Sequence, residues 1–549
     1  MEVYYSDILC IGSGVAGLMS SIAAAELNRK ICIVSKEPFS WGNTRISGGV
    51  IASNQGPSFF DDILKSGEEL NSTKLVETLL QESDNIHDTL EDWGHVYQRD
   101  GKHKNKIKPG GHTEARTYVS SYKGISLGNI LRMRLLKEDN VQVLEETAVC
   151  QILVEGNRAY GAMCFNWVKN EWSVIYASQI ILASGGGGML YAPHTDNMRS
   201  STGDSYALAL QAGASLVDME QVQFIPFGIA EPVGMVGIEV GDTAAAGPYG
   251  VLTNDNGEVF LDDIPNQTRE AVSRKIALQM SGGTADFRNT VWLDPSANTK
   301  EVAGRKAWEN AKQAGSLEGL KYAYGAKSYK WKEPFKVVPT LHYIMGGVIV
   351  DHDGNTTVDG LMAAGEAVGG VHGAGRMGSM SLFEGLVFGR LVGHRAAEKV
   401  TGKRDQCVSK LVLQSFIDNY KKSLSNEKGV YSPFKLKDEL SSVMWQYAGL
   451  IREEKGLRIA LDKVIQIERK AQSLNIDWCN SAYRQVILNT IELKSMLVTA
   501  KSIIISALKR TESRGSHFRL DYPNESTLGL YNVRVNTSRD EMNAQIVYK

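Results

Sequence analysis

Residues 7–17 read DILCIGSGVAG, a β-run that enters the pattern GxGxxG at Gly12, Gly14 and Gly17. The helix-like LMSSIAAAELN and a second β-run, ICIVSK, follow directly. Strand, tight turn, helix and second strand form the setting in which these glycines carry meaning: they make the turn, admit a ligand close to the backbone and let the helix pack on the strand. The helix begins around Ala16, and its first backbone N–H groups and positive dipole end suit a pyrophosphate. The stretch therefore predicts a Rossmann-like α/β domain that binds a dinucleotide. At the end of the second strand stand Ser35 and Lys36, with Glu37 just beyond. A clear acid at the ribose position is missing, which argues against NAD.

Three further stretches extend the reading. Residues 179–188, QIILASGGGG, place Ser184 and Gly185 in a second glycine cluster after an apolar strand, as in folds that wrap both halves of FAD. Residues 40–53, SWGNTRISGGVIAS, crowd Asn43, Thr44, Ser47, Gly48 and Gly49 into one loop, which suits either the polar rim of an isoalloxazine ring or a plain surface turn. In STGDSYALALQAGA, 201–214, Asp204 reads equally as a partner for a ribityl or ribose hydroxyl and as a helix cap. The richest segment is 339–390, where a His-Tyr pair precedes Gly-Gly, LMAAGE follows, and a glycine-rich loop carrying His372 and Arg376 opens a helix near Ser381. A strand that runs through Gly365 and Glu366 toward a helix N-terminus suits an electron-rich cofactor. His342 and Arg376 add cations, the Arg being matched to a planar carboxylate.

At 549 residues the chain should divide into about three or four units, because single cores stop growing near roughly 250–300 residues. A 43% hydrophobic, 22% charged composition is that of an ordinary globular protein, and a net charge of −2 gives no reason to expect nucleic acid. The six cysteines, Cys10, Cys32, Cys150, Cys164, Cys407 and Cys479, form no CxxC pair, so neither a zinc site nor an iron–sulfur centre is indicated in this chain. No metal site is expected. The first residues run straight into a strand and no stretch approaches 18 apolar residues. The expectation is a cytoplasmic protein that reaches a membrane only through partners.

Residues 58–96 read as amphipathic helices, GKHKNKIKPGG at 101–111 as a solvated basic loop, and 112–136 as a helix, followed by β-runs to residue 166. From 216 to 340 short strands and helices alternate without a dinucleotide motif, as an inserted lid would, and TREAVSRKIALQM forms a helix from Thr268. Arg269 in its first turn opposes the helix dipole, which suggests a role elsewhere. Residues 408–510 read as amphipathic helices, and TESRGSHFRLDYP at 511–523 precedes a polar tail. The expected architecture is an FAD-binding domain in two parts, 1–215 and 341–400, an inserted α+β capping domain at 216–340, and a C-terminal helical domain with tail at 401–549.

GSGVAG, ASGG, TGD, TREAVSR, PTLHYIMGG, AAGE, HGAGRMGSMSLFEGLVFGR, MWQYAGLIR and ESRGSHFRLDYP together resemble the flavoprotein subunit of the succinate dehydrogenase and fumarate reductase family, which includes L-aspartate oxidase. The similarity spans nearly the whole chain. It implies hydride transfer between reduced flavin and a carbon–carbon double bond, with Arg269 delivering the proton and His342 and Arg376 holding a substrate carboxylate. It also implies FAD contacts at Gly12, Gly14, Ala16, Gly17, Ser35, Lys36, Val149, Asp204, His342, Glu366, Arg376, Ser381 and Leu382. An iron–sulfur protein would exchange the electrons.

Two departures from the family pattern bear on this. Where the family reads QFHPTG, this chain has QFIPFG, so Ile225 stands for a His and Phe227 lies beside it. Where the family reads TEGxRGEGG, this chain has DTAAAGPYG, with Asp242 and Thr243 in the leading positions. The expected substrate carries one conventionally held carboxylate and a different second end, unless Gln221 or Gln223 substitutes for the lost groups. In addition, the loop WGNTRISGG lacks the His through which respiratory members attach FAD, so the cofactor should be non-covalent. A self-sufficient oxidase resembling L-aspartate oxidase, or a flavin electron-transfer subunit without substrate chemistry, are the alternative readings.

Overall fold

The architecture comes from a computed structural model that describes residues 1–282, 290–315, 317–400, 410–424, 429–526, 528–538 and 541–549. Its centre is a five-stranded parallel sheet in the order Leu361–Ala363, Gln179–Leu182, Ile8–Ile11, Ile31–Val34, Val141–Leu144. ILCI, ICIV and QIIL are buried at every position, as parallel strands covered on both faces must be. The helix Val15–Glu26 lies on this sheet and packs outward against Met380–Lys399. Gly385, Gly389 and Gly393 permit that approach. A Cβ on Gly389 would lie 2.8 Å from the Ala16 carbonyl oxygen, and one on Gly393 2.2 Å from that of Ser20. The helix that follows the 339–379 segment is thereby locked to the helix that follows the first glycine motif.

The capping region holds a six-stranded antiparallel sheet, ordered Glu239–Gly241, Val222–Ile229, Phe335–Ile344, Val291–Asp294, Val251–Thr253, Val259–Leu261. It has its own apolar core, including Phe227, Val272, Ile276 and Trp331, separate from the main one. Helix Arg269–Ser281 begins at Thr268, whose side chain accepts a hydrogen bond from the Ala271 N–H. The sheet reaches past the expected boundary at 340, since its second long strand ends at Ile344.

The C-terminal part contains the helices Lys410–Leu424, Pro433–Ala448, Glu454–Ala471 and Arg484–Lys509. Just beyond them the Arg510 guanidinium is wholly buried among Asp218 at 2.9 Å, Glu220 at 2.5 Å and Glu512 at 2.7 Å. Two expectations are corrected here. The polar tail is in fact a hairpin, Tyr531–Ser538 and Glu541–Tyr548, that extends a sheet formed by Gly347–Val348 and Leu216–Val217. Likewise residues 112–122 are not helical: Thr117–Val119 is a strand paired with Val50–Ala52, because its β-branched and aromatic side chains fill the space beneath the loop, and the helix is confined to Lys123–Leu135. Among the described residues no helix is long and apolar enough to cross a membrane. Cys10, Cys32, Cys150 and Cys164 are buried thiols and Cys479 is exposed; Cys407 lies outside the described residues.

Candidate active site

The glycine turn shows directly which of its positions a ligand needs. Gly12 has φ +111°, and a Cβ there would lie 2.3 Å from the Ala183 carbonyl oxygen; a Cβ on Gly17 would lie 2.0 Å from that of Gly12. Gly14 differs, because its Cβ would meet only the Thr44 hydroxyl at 3.6 Å. The first and third glycines are consumed by packing, and the middle one leaves a hollow before the helix N-terminus, as a pyrophosphate requires. Ala16 is buried beneath this turn, close to Gly365. The residues present therefore fit FAD.

Around the hollow, the Ser13 and Ser35 hydroxyls are 2.8 Å apart, and the Ser184 hydroxyl is 2.6 Å from that of Ser205. Gly185 adopts φ +76°. Thr44 accepts a hydrogen bond from the Val15 N–H at 2.9 Å. Asn43 joins Asn197 and the Met198 N–H, both at 2.8 Å, and Ser47 donates to the Thr44 carbonyl. Gly48 is exposed with open space around it, whereas Gly49 at φ +69° presses on the Lys123 backbone. The loop is thus half turn, half wall. Val149 is half-buried on the strand Thr147–Glu155.

Asp204 does not cap its helix: Gly203 holds the cap position and no side-chain bond is made there. The Lys36 ammonium instead lies 2.7 Å from Asp204, 2.7 Å from the Thr202 hydroxyl and 3.1 Å from Glu492 of the C-terminal helices. Two expected cofactor contacts are paired with each other, and the pair ties the helical region to the sheet. On the opposite wall, Glu366 accepts the Ile344 N–H at 3.2 Å, and burial pushes its carboxyl up to about 7. Ser381 and Leu382 occupy the first turn of helix Met380–Lys399, behind Ser379 in the left-handed region at φ +66°. His372 is buried edge-on to Tyr343, its imidazole pushed down to about 3 by desolvation and then by Arg376.

The substrate side is built around Gln223. Its amide oxygen accepts from Arg269 Nη1 and Arg376 Nε, each at 3.2 Å, while its amide nitrogen donates to Glu270 at 2.7 Å and to the Arg376 carbonyl at 3.0 Å. With both amide ends occupied twice, the side chain is locked. Arg269, 7% exposed, is ion-paired with Asp242, which explains a cation at a helix start. Arg376, 3% exposed, lies over the Tyr343 ring at 4.9 Å and donates to the Met377 carbonyl at 3.1 Å. Burial, and then the neighbouring Arg269, bring its guanidinium down to about 10.

His342 Nδ1 lies 2.6 Å from the Asp196 carboxylate. Glu239 completes a group of three whose ligand atoms are all within 4.8 Å of one another, a donor set that oxygen- and nitrogen-binding cations accept. Desolvation around the Glu239 carboxyl raises it, with His342 opposing, while the residue as a whole is exposed. Ile225 is 2% exposed and belongs to neither apolar core, whereas Phe227 sits within the capping core. Thr243 is buried and its N–H bonds Asp242 at 2.7 Å.

Sequence reasoning missed Asp196, Glu239 and the end of the basic loop. A Cβ on Gly110 would come 3.0 Å from the Asp242 carboxylate, so the end of the basic loop borders the site, while Gly110, Gly111 and most of 101–111 remain exposed, as a solvated loop is. The KPGG stretch was the available signal, its glycines marking a close backbone approach. Of the two glutamines proposed as substitutes, Gln223 lies in the site; Gln221 is buried with neither amide atom bonded within the described residues.

Comparisons with known proteins agree with this geometry. The family described as FAD binding domain matches residues 7–382, and that described as fumarate reductase flavoprotein C-term matches 437–547. A relative from Methanothermobacter marburgensis, a component of its fumarate reductase (CoM/CoB), is 33% identical, with 95% of each chain covered. The fumarate reductase flavoprotein subunit of Escherichia coli K12 is 30% identical over 95% of this chain and 89% of its own. Among solved structures, a variant of the E. coli quinol fumarate reductase flavoprotein superposes with a TM-score of 0.88 at 27% identity, covering 100% of this chain and 97% of the other. With both halves of the chain matched in order and the flavin cradle intact, this chain belongs to the FAD-dependent flavoprotein subunits of the fumarate reductase and succinate dehydrogenase family.

Proposed function

We propose that this protein interconverts a carbon–carbon double bond and its saturated form in a small carboxylate, with Arg376 as the anchor for the carboxylate and Arg269 as the proton donor. The observation that carries this reading is the pair of buried guanidiniums clamped on one glutamine, in front of the segment that resembles the flavin-binding wall. FAD, when bound, supplies the hydride chemistry. The turn that Gly12 and Gly17 close would hold its pyrophosphate at Gly14, and Glu366, Ser381 and Leu382 would line the ring.

Arg269 places a proton at Nη2, and Asp242, whose side chain is 23% exposed, links that nitrogen to solvent and restores the proton after each turnover. Arg376 orients the carboxylate through a planar fork while its charge favours electron density building on the substrate. Gln223 is a positioning residue that keeps the two cations from drifting apart under mutual repulsion.

Electrons would pass to or from an iron–sulfur partner docked on the flavin domain, and any membrane contact, on the cytoplasmic side, would come through such partners. The support is that relatives are named as flavoprotein subunits and that the described cysteines here are scattered, four of them buried. FAD is held non-covalently, since residues 40–49 include no His. Acid precipitation tests that statement: colour should leave with the supernatant, and a yellow pellet refutes it.

The function itself is tested by reducing the purified holoprotein anaerobically and following flavin reoxidation with a panel of unsaturated acids. Reoxidation by at least one is expected. Silence from every acid would favour an electron-transfer role without substrate chemistry.

A further inference from the structure

The two guanidiniums and the imidazole of the pocket differ in what they are already paired with. Arg269 is paired with Asp242, and His342 is paired with Asp196 at 2.6 Å with Glu239 beside it. Arg376 has no carboxylate within 4.0 Å among the described residues; its contacts are an amide oxygen, a backbone carbonyl and an aromatic face. One unclaimed cation can hold one carboxylate. Beyond it, Ile225 offers no donor, and the group Asp196–Glu239–His342 sets two carboxyls around a single imidazole. A second substrate carboxylate brought there would face the Asp196 carboxylate, 11% exposed, at close range, with the exposed Glu239 beside it.

Resting on the hydride-transfer reading above, we propose that the substrate is an unsaturated monocarboxylate, or its saturated counterpart, whose far end donates hydrogen bonds, as an amide, hydroxyl or ammonium does. The carboxylate lies on Arg376, and the donor end meets Asp196 and Glu239. His342, held by Asp196, then spans the reacting carbons and is not the anchor for a second anion. Asp196 and Glu239 become the specificity-determining residues of this protein. They act by accepting the donor and by repelling a dicarboxylate, and discrimination built on unpaired or repelled polar groups is strong.

The test uses anaerobically reduced holoprotein and three probes that share one alkene and one carboxylate: fumarate, its monoamide and crotonate. With chelator present, kcat/KM from flavin reoxidation should be at least tenfold higher for the monoamide than for fumarate, and higher than for crotonate. Fumarate equal to or better than the monoamide overturns the inference while leaving hydride transfer intact; crotonate equal to the monoamide overturns the donor end. Silence from all three removes the hydride-transfer reading and this one with it. Fumarate turnover that appears only when a divalent metal replaces the chelator also overturns it, because the cluster would then be a cation site. The double variant Asp196→Asn, Glu239→Gln should move the fumarate-to-monoamide ratio at least tenfold toward fumarate at unchanged flavin content. A ratio that stays put counts against the assignment of these two residues.

Discussion

Arg376 and Arg269 are both buried and both bonded to the Gln223 amide, yet Asp242 compensates one of them and no carboxylate lies within ion-pairing distance of the other among the described residues. The difference follows from where each comes from. Arg376 stands in a glycine-rich loop whose backbone is committed to neighbouring segments: a Cβ on Gly373 would lie 2.6 Å from the Gly67 carbonyl, and one on Gly375 2.3 Å from that of Ser66. Arg269 belongs to the capping unit, with its separate apolar core, and its partner Asp242 comes from the same unit. The flavin-side half presents a bare charge fixed by backbone. In the cap-side half the charges are matched among themselves, and a few side chains can be exchanged without disturbing the sheet. Specificity is therefore cheaper to change in the cap than in the loop.

The largest effect should come from Arg269→Ala, with turnover falling by about 10²–10⁴ for loss of a positioned proton donor. Flavin content should stay the same, and unchanged turnover would refute the donor assignment. Arg376→Ala should act through binding: KM rises roughly 30-fold or more, as the loss of about 2 kcal/mol from a desolvated charge pair implies. A fall in kcat at constant KM would blur the distinction between the halves.

A pH experiment probes the cofactor side. Glu384 is 1% exposed, and burial, then nearby Glu366, raises its carboxyl to about 8. Because the folded state keeps the proton that the unfolded chain releases near 4.5, stability contributed by this group falls as pH climbs from about 4.5 to 8. Glu384→Gln should flatten that decline in Tm measured across the window; an unchanged slope would place the titration elsewhere. Smallest of all, Thr268→Ala removes the cap beneath Arg269 and should cost about 1 kcal/mol in denaturant unfolding.

Local features were the readable ones. The glycine turn, the second glycine cluster and the Thr268 helix start each depend on residues within one or two turns of chain, so their spacing revealed them. The Asp242–Arg269 pair was not readable, because a carboxylate chooses its cation only when strand Glu239–Gly241 meets the helix in space. Nor was the Gln223 bridge, formed by one amide in an otherwise apolar run. Lys36 and Asp204 were both legible, but as ligands of the same cofactor and not as partners of each other. The C-terminal hairpin was missed for a different reason: Tyr531, Val533 and Val535 alternate with polar residues in strand period, but the polar half made the segment look like a tail.

That hairpin has a consequence for biosynthesis. Its strand Tyr531–Ser538 pairs with Leu216–Val217, which in turn pairs with Gly347–Val348, so one small sheet is assembled from three widely spaced moments of translation. Until the last of these strands has left the ribosome, Asp218 lacks the Asn532 amide that occupies part of its carboxylate in the finished fold. Before that point Leu216–Val217 has no Tyr531–Ser538 strand to pair with. Completion of this sheet is thus a late step of folding, since contacts this distant in sequence form late.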